Sequence, residues 1–181
     1  MSKIKVCHLY YDLMNLYGEN ANIRAIEKMC EYQGITCEVS LKTINDKIDF
    51  NSYDIYYMGS GDEKSELLVL EDMIKYKDKI KTSIESGKTF IITGNASELF
   101  GSYIIDNDVK YDALGVFNYN SVHETFRIVG SVTFSTKLIK EKIIGFQNRC
   151  GVMNDIDKPL FKVISGTGSS INSKTEGKNY K

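Results

Sequence analysis

Apolar positions along this chain follow two different patterns. From Ile4 to Tyr11 they run almost unbroken and are rich in β-branched and aromatic residues, which is how a strand buried on both faces of a parallel sheet reads. A polar loop through Tyr17, Gly18 and Glu19 comes next. Ile23, Ile26, Met29 and Cys30 then recur at helical spacing until Gly34, a suitable helix C-cap. Ile35 to Leu41 alternates as a strand does, and Asp54 to Gly59 predicts another strand that runs into a Gly-Ser-Gly-Asp loop at 59–62. Leu67, Leu70, Ile74, Ile80 and Ile84 mark one or two helices closed by Gly87, ahead of a strand from Lys88 to Thr93. Strands alternating with helices in this way predict βαβ units around a parallel sheet.

Beyond Gly101 the helical signal fades. Short strand-like pieces at Phe126–Val129, Ser131–Phe134, Ile143–Phe146 and Leu160–Ile164 predict antiparallel strands added beside the parallel sheet. The stretch Ser165 to Lys181 is polar and rich in Gly, Ser, Asn and Lys, so it is expected to be loop or frayed tail. With 181 residues, no long linker and no repeat, the chain reads as a single domain, 1–181.

Charge excludes some partners. Lys and Arg total 23 against 24 Asp and Glu, so no global field draws the chain to nucleic acid or anionic lipid. The densest basic run, Lys75 to Lys81, is broken by Asp78 and reads as a solvated helix face. Cys7, Cys30, Cys37 and Cys150 show no metal-binding spacing, and His8 and His123 lie far apart in sequence, so no metal or other cofactor is expected. The first apolar run is too short for a membrane span or a signal peptide, and a cytoplasmic location is expected.

Two loops stand where ligands bind in open α/β sheets, at the carboxyl ends of strands. The small residues of Gly59-Ser60-Gly61-Asp62 allow backbone N–H groups to converge on an anion or a developing oxyanion. Ile91 to Gly101 has the layout of a nucleophile elbow, an apolar strand, a tight turn of small residues and then a helix, with no reactive residue at its tip. Each also fits an ordinary strand-to-helix connection, and together they fit a flavodoxin-like module holding a phosphate.

The run Leu9 to Ile23, the loop Gly59 to Glu66, and the segments Ile144 to Gly151 and Lys162 to Gly177 follow one another in an order that resembles class I glutamine amidotransferases of the GatD and CobB/CobQ type. Leu9 to Ile23 (LYYDLMNLYGENANI) resembles the opening strand and D-x-M-N-L-Y-G-D-x-G-N-I segment of the GatD group. Gly59 to Glu66 (GSGDEKSE) is similar to its G-G-G-x-D-R-E-Q loop, with Ser60 in place of the middle glycine. Ile144 to Gly151 (IGFQNRCG) is similar to V-G-F-E-N-H-G-G, and Lys162 to Gly177 resembles a loop ending G-x-G-N-N and then E-G.

That resemblance implies a three-layer αβα sandwich, flavodoxin-like, with a mostly parallel sheet and extra antiparallel strands. It also implies a chemistry, in which a cysteine thiolate attacks the side-chain amide of glutamine, a histidine assists, and ammonia passes to a ligase. For GatD the ligase is the Mur-ligase-like MurT and the product is amidated lipid II of peptidoglycan; CobB/CobQ relatives amidate corrinoid precursors. Alignment of the family's I-C-G-G-Y-Q-x-x-G on Gly101 puts Gly94 at the cysteine and Glu98 at the glutamine. Arg127 falls at the family's glutamine-site arginine, and Ser60, Gly61, Asn95 and Glu98 would complete the substrate pocket. The family's G-T-Y-x-H-G histidine would come after the segment matching Glu176-Gly177, past Lys181, and neither His8, His123 nor Cys150 matches a catalytic position. The expectation is therefore a GatD-like subunit, heterodimeric with a MurT-like ligase, with glutamine as a possible ligand and no catalytic residue of its own. An active glutaminase subunit is the alternative. Gly94 is expected at positive φ, and Arg127 is expected to face the pocket mouth.

Overall fold

A computed structural model describes residues 2–178. The chain divides into two compact units, one up to Leu99 and one from Phe100. The first holds a four-stranded, all-parallel sheet in the order β2 (Thr36–Lys42), β1 (Lys3–Leu9), β3 (Ile55–Met58), β4 (Thr89–Ile92). Strand β1 lies inside this sheet, and Val6, Cys7, His8 and Leu9 are fully buried, as the unbroken apolar run predicts.

Helices cover both faces of this sheet. Helix α1 (Asn20–Tyr32) sets Ile23 and Ile26 against Val6 and Tyr57, with Ile4, Val39 and Ile55 around them. On the opposite face Tyr56 stacks on Phe90 at 4.6 Å and on Phe50 at 5.2 Å. Helices α2 (Glu63–Met73) and α3 (Lys77–Glu85), joined by a 3-10 turn over Ile74–Tyr76, bury Val69, Met73, Tyr76 and Ile80. Successive residues of a strand point to opposite faces, so Tyr56 and Tyr57 serve different layers.

The second unit is a six-stranded sheet. Strands β10 (Thr175–Lys178), β9 (Pro159–Ser165), β7 (Asn120–Ser135), β5 (Tyr103–Asp106) and β6 (Val109–Asp112) lie in that order, and β8 (Ile143–Asn154) pairs with β7. All pairs are antiparallel except β5 with β7. The expected antiparallel strands are therefore present, but they build a sheet of their own. The two pieces at 126–129 and 131–134 are one 16-residue strand, because Gly130 stays paired, opposite Gln147, and does not end the ladder. Val132, Phe134 and Val163 form one small hydrophobic cluster of this unit, and Ile104 and Leu114 are fully buried elsewhere in it.

The polar stretch 165–181 needs correction. Ser165 closes β9 and residues 166–174 are loop, but Thr175–Lys178 is a strand paired with β9. Backbone hydrogen bonds do not require apolar side chains, and Glu176 is anchored by Arg149 at 3.1 Å and Lys178 by Asp157 at 2.8 Å. Residues 179–181 lie outside the described residues. Among the described residues no helix is long and apolar enough to cross a membrane.

Candidate functional site

Three chain segments meet at the carboxyl ends of β1, β3 and β4, all within the first unit. The first leaves β1 at Tyr10, a bulky residue held at φ +49, a conformation costing roughly 1–2 kcal/mol for an L-residue. Its buried hydroxyl donates to Asp72 Oδ2 at 2.9 Å and fixes the turn. Burial pushes the Asp72 carboxyl up, but bonds from Lys75, the Asn45 N–H and Tyr10 outweigh it and hold it below the usual carboxylate range.

The chain then reaches Glu19, whose carboxylate is buried. Its Oε2 accepts from the Tyr57 hydroxyl at 2.7 Å, from Asn22 Nδ2 at 3.1 Å and from Thr93 Oγ1 at 3.4 Å. One carboxylate thus ties the start of α1 to the ends of β3 and β4. Burial, together with the bond to Glu19, pushes the Tyr57 hydroxyl up to about 12, so it stays a donor at neutral pH.

The second segment is Gly59-Ser60-Gly61-Asp62. A Cβ on Gly59 would lie 2.8 Å from Glu19 Cδ, and one on Gly61 would lie 2.6 Å from Met14 Sδ. Both glycines therefore let the β1–α1 loop lie directly on this one. Asp62 caps α2, its Oδ1 accepting from the Ser65 N–H at 2.8 Å, and that bond holds the carboxyl below its usual range.

The third segment is the turn after β4. Gly94 has φ +61, as expected for a sharp strand-to-helix turn. The chain continues as a 3-10 helix over Gly94–Phe100, where the sequence pattern reads as an ordinary helix. Gly, Asn and Ser are poor helix formers, and Ser97 Oγ donates back to the Gly94 carbonyl at 2.7 Å, which tightens the turn.

Four of the expected substrate-pocket residues come together here. The Asn95 side chain accepts from the Gly61 N–H at 3.0 Å and donates to the Gly61 carbonyl at 3.0 Å and to Glu66 Oε2 at 2.8 Å. This amide closes the two loops on each other and occupies the Gly61 N–H. Ser60 is buried and packs directly over Gly94. Glu98 is buried in the 3-10 helix, with a carboxylate oxygen within 4.8 Å of one from Glu66. Arg127 belongs to the second unit. There its Nε donates to Asn148 Oδ1 at 2.9 Å and its guanidinium also reaches the Asn148 carbonyl. His123 pairs with Asp106 at 3.1 Å in that unit.

Sequence reasoning missed Glu19, Asn22, Tyr57 and Thr93 as a set. The only signal was polar residues in and beside apolar strand ends, and that pattern does not say which of them converge.

His8 lies one residue from the carboxyl end of β1, fully buried, its ring 5.2 Å from Tyr57, and neither ring nitrogen has a hydrogen-bond partner among the described residues. Burial lowers its pKa to about 4, although the charge of Glu19 works the other way. Below pH 6.5 the unfolded chain takes up a proton that the folded chain refuses, so stability falls with pH until about pH 4. The interval corresponds to roughly 3 kcal/mol at 1.36 kcal/mol per pH unit. Urea unfolding of wild type and His8→Phe between pH 7 and 4 is expected to show this loss in wild type and to lack it in the variant. Parallel curves would mean that the imidazole is not held neutral.

In comparison with known proteins, a family model and two relatives agree with one another. Residues 5–181 match the CobB/CobQ-like glutamine amidotransferase domain. The chain is 28% identical to the lipid II isoglutaminyl synthase (glutamine-hydrolyzing) subunit GatD of Streptococcus pneumoniae, over 99% of this chain and 70% of the relative. It is 26% identical to the corresponding subunit of Staphylococcus aureus, over 100% of this chain and 74% of the relative. With nearly every residue inside the match, and the parallel sheet and elbow in place, the chain belongs to the CobB/CobQ-like glutamine amidotransferase family and is of its GatD type.

Proposed function

We propose that this chain is the amidotransferase-like subunit of a lipid II amide synthase, that it pairs with a MurT-like ligase, and that it is silent toward glutamine. Support for the pathway comes from the relatives, both of them subunits of a lipid II isoglutaminyl synthase. The observation that carries the silence is Gly94. It stands at the positive-φ tip of the elbow, at the position that the resemblance assigns to the nucleophilic cysteine.

A thioester needs a side chain to carry it, and glycine has none. The flanking hydroxyls are engaged elsewhere, Thr93 with Glu19 and Ser97 with the Gly94 carbonyl. Displacement of an attacking atom by about 1 Å can already cost 10²-fold, so neither is a substitute. On this reading Ser60, Gly61, Asn95 and Glu98 are what remains of a glutamine pocket. Asn95 closes onto Gly61, and Glu98 stands where the family has a neutral glutamine. Arg127, in the second unit, has the planar donors that suit a carboxylate, but Asn148 takes its Nε and one terminal nitrogen.

The subunit role is tested by mixing the purified chain with the Mur-ligase-like protein of the same genome. A 1:1 complex on size-exclusion chromatography at micromolar concentration is expected. Two separate peaks would remove the partner from this assignment.

A further inference from the structure

We infer that Ser60 and Gly94 form one steric unit, in which the Ser60 hydroxymethyl group fills the space where a side chain on residue 94 would begin. Ser60 is then a second determinant of the silent elbow. This rests on reading Gly94 as the former nucleophile position.

A Cβ built on Gly94 would meet Ser60 Oγ well inside any non-bonded distance, and would lie 2.9 Å from Ser60 Cβ and 3.6 Å from its Cα. Rotation about χ1 moves the hydroxyl to another staggered well but leaves Cβ in place. The 2.9 Å approach therefore survives every rotamer of residue 60, and relief requires the backbone to move.

The backbone on the Ser60 side is held from three directions. The Ser60 carbonyl accepts from the Leu16 N–H at 2.9 Å, Glu19 packs over Gly59, and Asn95 grips both polar groups of Gly61. On the other side Gly94 is fixed by the bond from Ser97 Oγ to its carbonyl and by the Asn95 clamp one residue on. The two residues face each other across a gap that accommodates one side chain. A glycine at 60 leaves room for a side chain at 94, and a serine at 60 requires a glycine at 94. Restoring a thiol at the elbow therefore takes two substitutions, Gly94→Cys and Ser60→Gly.

A double-mutant cycle read by urea unfolding tests this. The proteins are wild type, Ser60→Gly, Gly94→Cys and the double variant, together with Ser60→Ala in the Gly94→Cys background. Gly94→Cys is expected to lower the folding equilibrium constant, and Ser60→Gly is expected to restore it at least tenfold in that background while lowering it in wild type. Ser60→Ala, which keeps the Cβ, should restore clearly less than Ser60→Gly, a ranking that a generally loosened loop would not produce. If Gly94→Cys gives no soluble protein, Gly94→Ala presents the same Cβ and must show the same rescue. Additive effects, within twofold, or equal rescue by Ser60→Ala would overturn the inference. Ammonia release by wild type would instead overturn the silent reading and leave the steric coupling intact, so the two failures are distinguishable.

Discussion

Phe50→Ala is expected to cost the first unit about 3–5 kcal/mol of unfolding free energy, the range for truncating a buried phenylalanine. Phe50 lies in the connection between β2 and β3, yet it is 1% exposed. Its ring sits 5.2 Å from Tyr56, 5.4 Å from Tyr76 and 6.4 Å from Phe90, so one residue joins the loop, the sheet and the turn ahead of α3. Its carbonyl accepts from Ser83 Oγ at 2.7 Å, and the Tyr76 hydroxyl donates to the Asp46 carbonyl at 2.9 Å. These bonds fix the backbone, so the site cannot collapse around the lost ring and the void remains. Urea unfolding followed by tyrosine fluorescence is the suitable measurement, since the chain has 12 tyrosines and no tryptophan. Phe50→Leu should retain most of the stability. A loss below about 1 kcal/mol for Phe50→Ala, well under the usual range for such a truncation, would mean that the aromatic cluster does not hold the connection.

That residue also marks where sequence reading stops. Phe50 sits in a largely polar stretch, Thr43 to Ser52, where Ile44, Ile48 and Phe50 stand four and two residues apart, so the spacing fits neither a helix nor a strand throughout. The parallel half of the fold was legible because β1 is an almost unbroken apolar run buried on both faces, and β4 is a short apolar run set between Gly87 and Gly94. The hairpin of β5 and β6 was not. Its turn holds Asn107 and Asp108 at φ +48 and +62, the two positive-φ positions of a tight hairpin. The Asn-Asp pair was the available cue, but it is weaker than one containing glycine. Strand β10 was illegible for a different reason. It is held by main-chain pairing and two ion pairs, which leave no apolar pattern to read.

At the site, position was more legible than contact. Turn chemistry marked Gly94, because a tight turn of small residues after an apolar strand calls for positive φ and glycine adopts it freely. The partnership of Asn95 with Gly61 spans 34 residues, and the one between Glu19 and Thr93 spans 74. Such contacts depend on which strand lies beside which, and local pattern does not encode that. The steric conflict between residues 60 and 94 belongs to the same class, since each substitution taken alone reads as a small residue in a loop.

Glutamine is expected to remain intact in the presence of this chain. Removing the nucleophile of a hydrolase that forms a covalent intermediate costs on the order of 10⁶-fold in kcat when its other groups stay in place. On the proposed reading the nucleophile position is Gly94, and the Gly61 N–H, a donor for a developing oxyanion on that reading, is taken by Asn95. Any residual rate should be indistinguishable from spontaneous deamidation. A bound ligase could reorder the loops, but it cannot supply the missing side chain, so complex formation should not change the outcome. The decisive measurement is ammonia release from glutamine, monitored by a coupled glutamate dehydrogenase assay, for the chain together with its MurT-like ligase and for the ligase alone. Equal rates in the two reactions are the expected result. Glutamine-dependent ammonia release above the ligase-alone rate, retained after further purification of the complex, would contradict the assignment of a silent amidotransferase subunit.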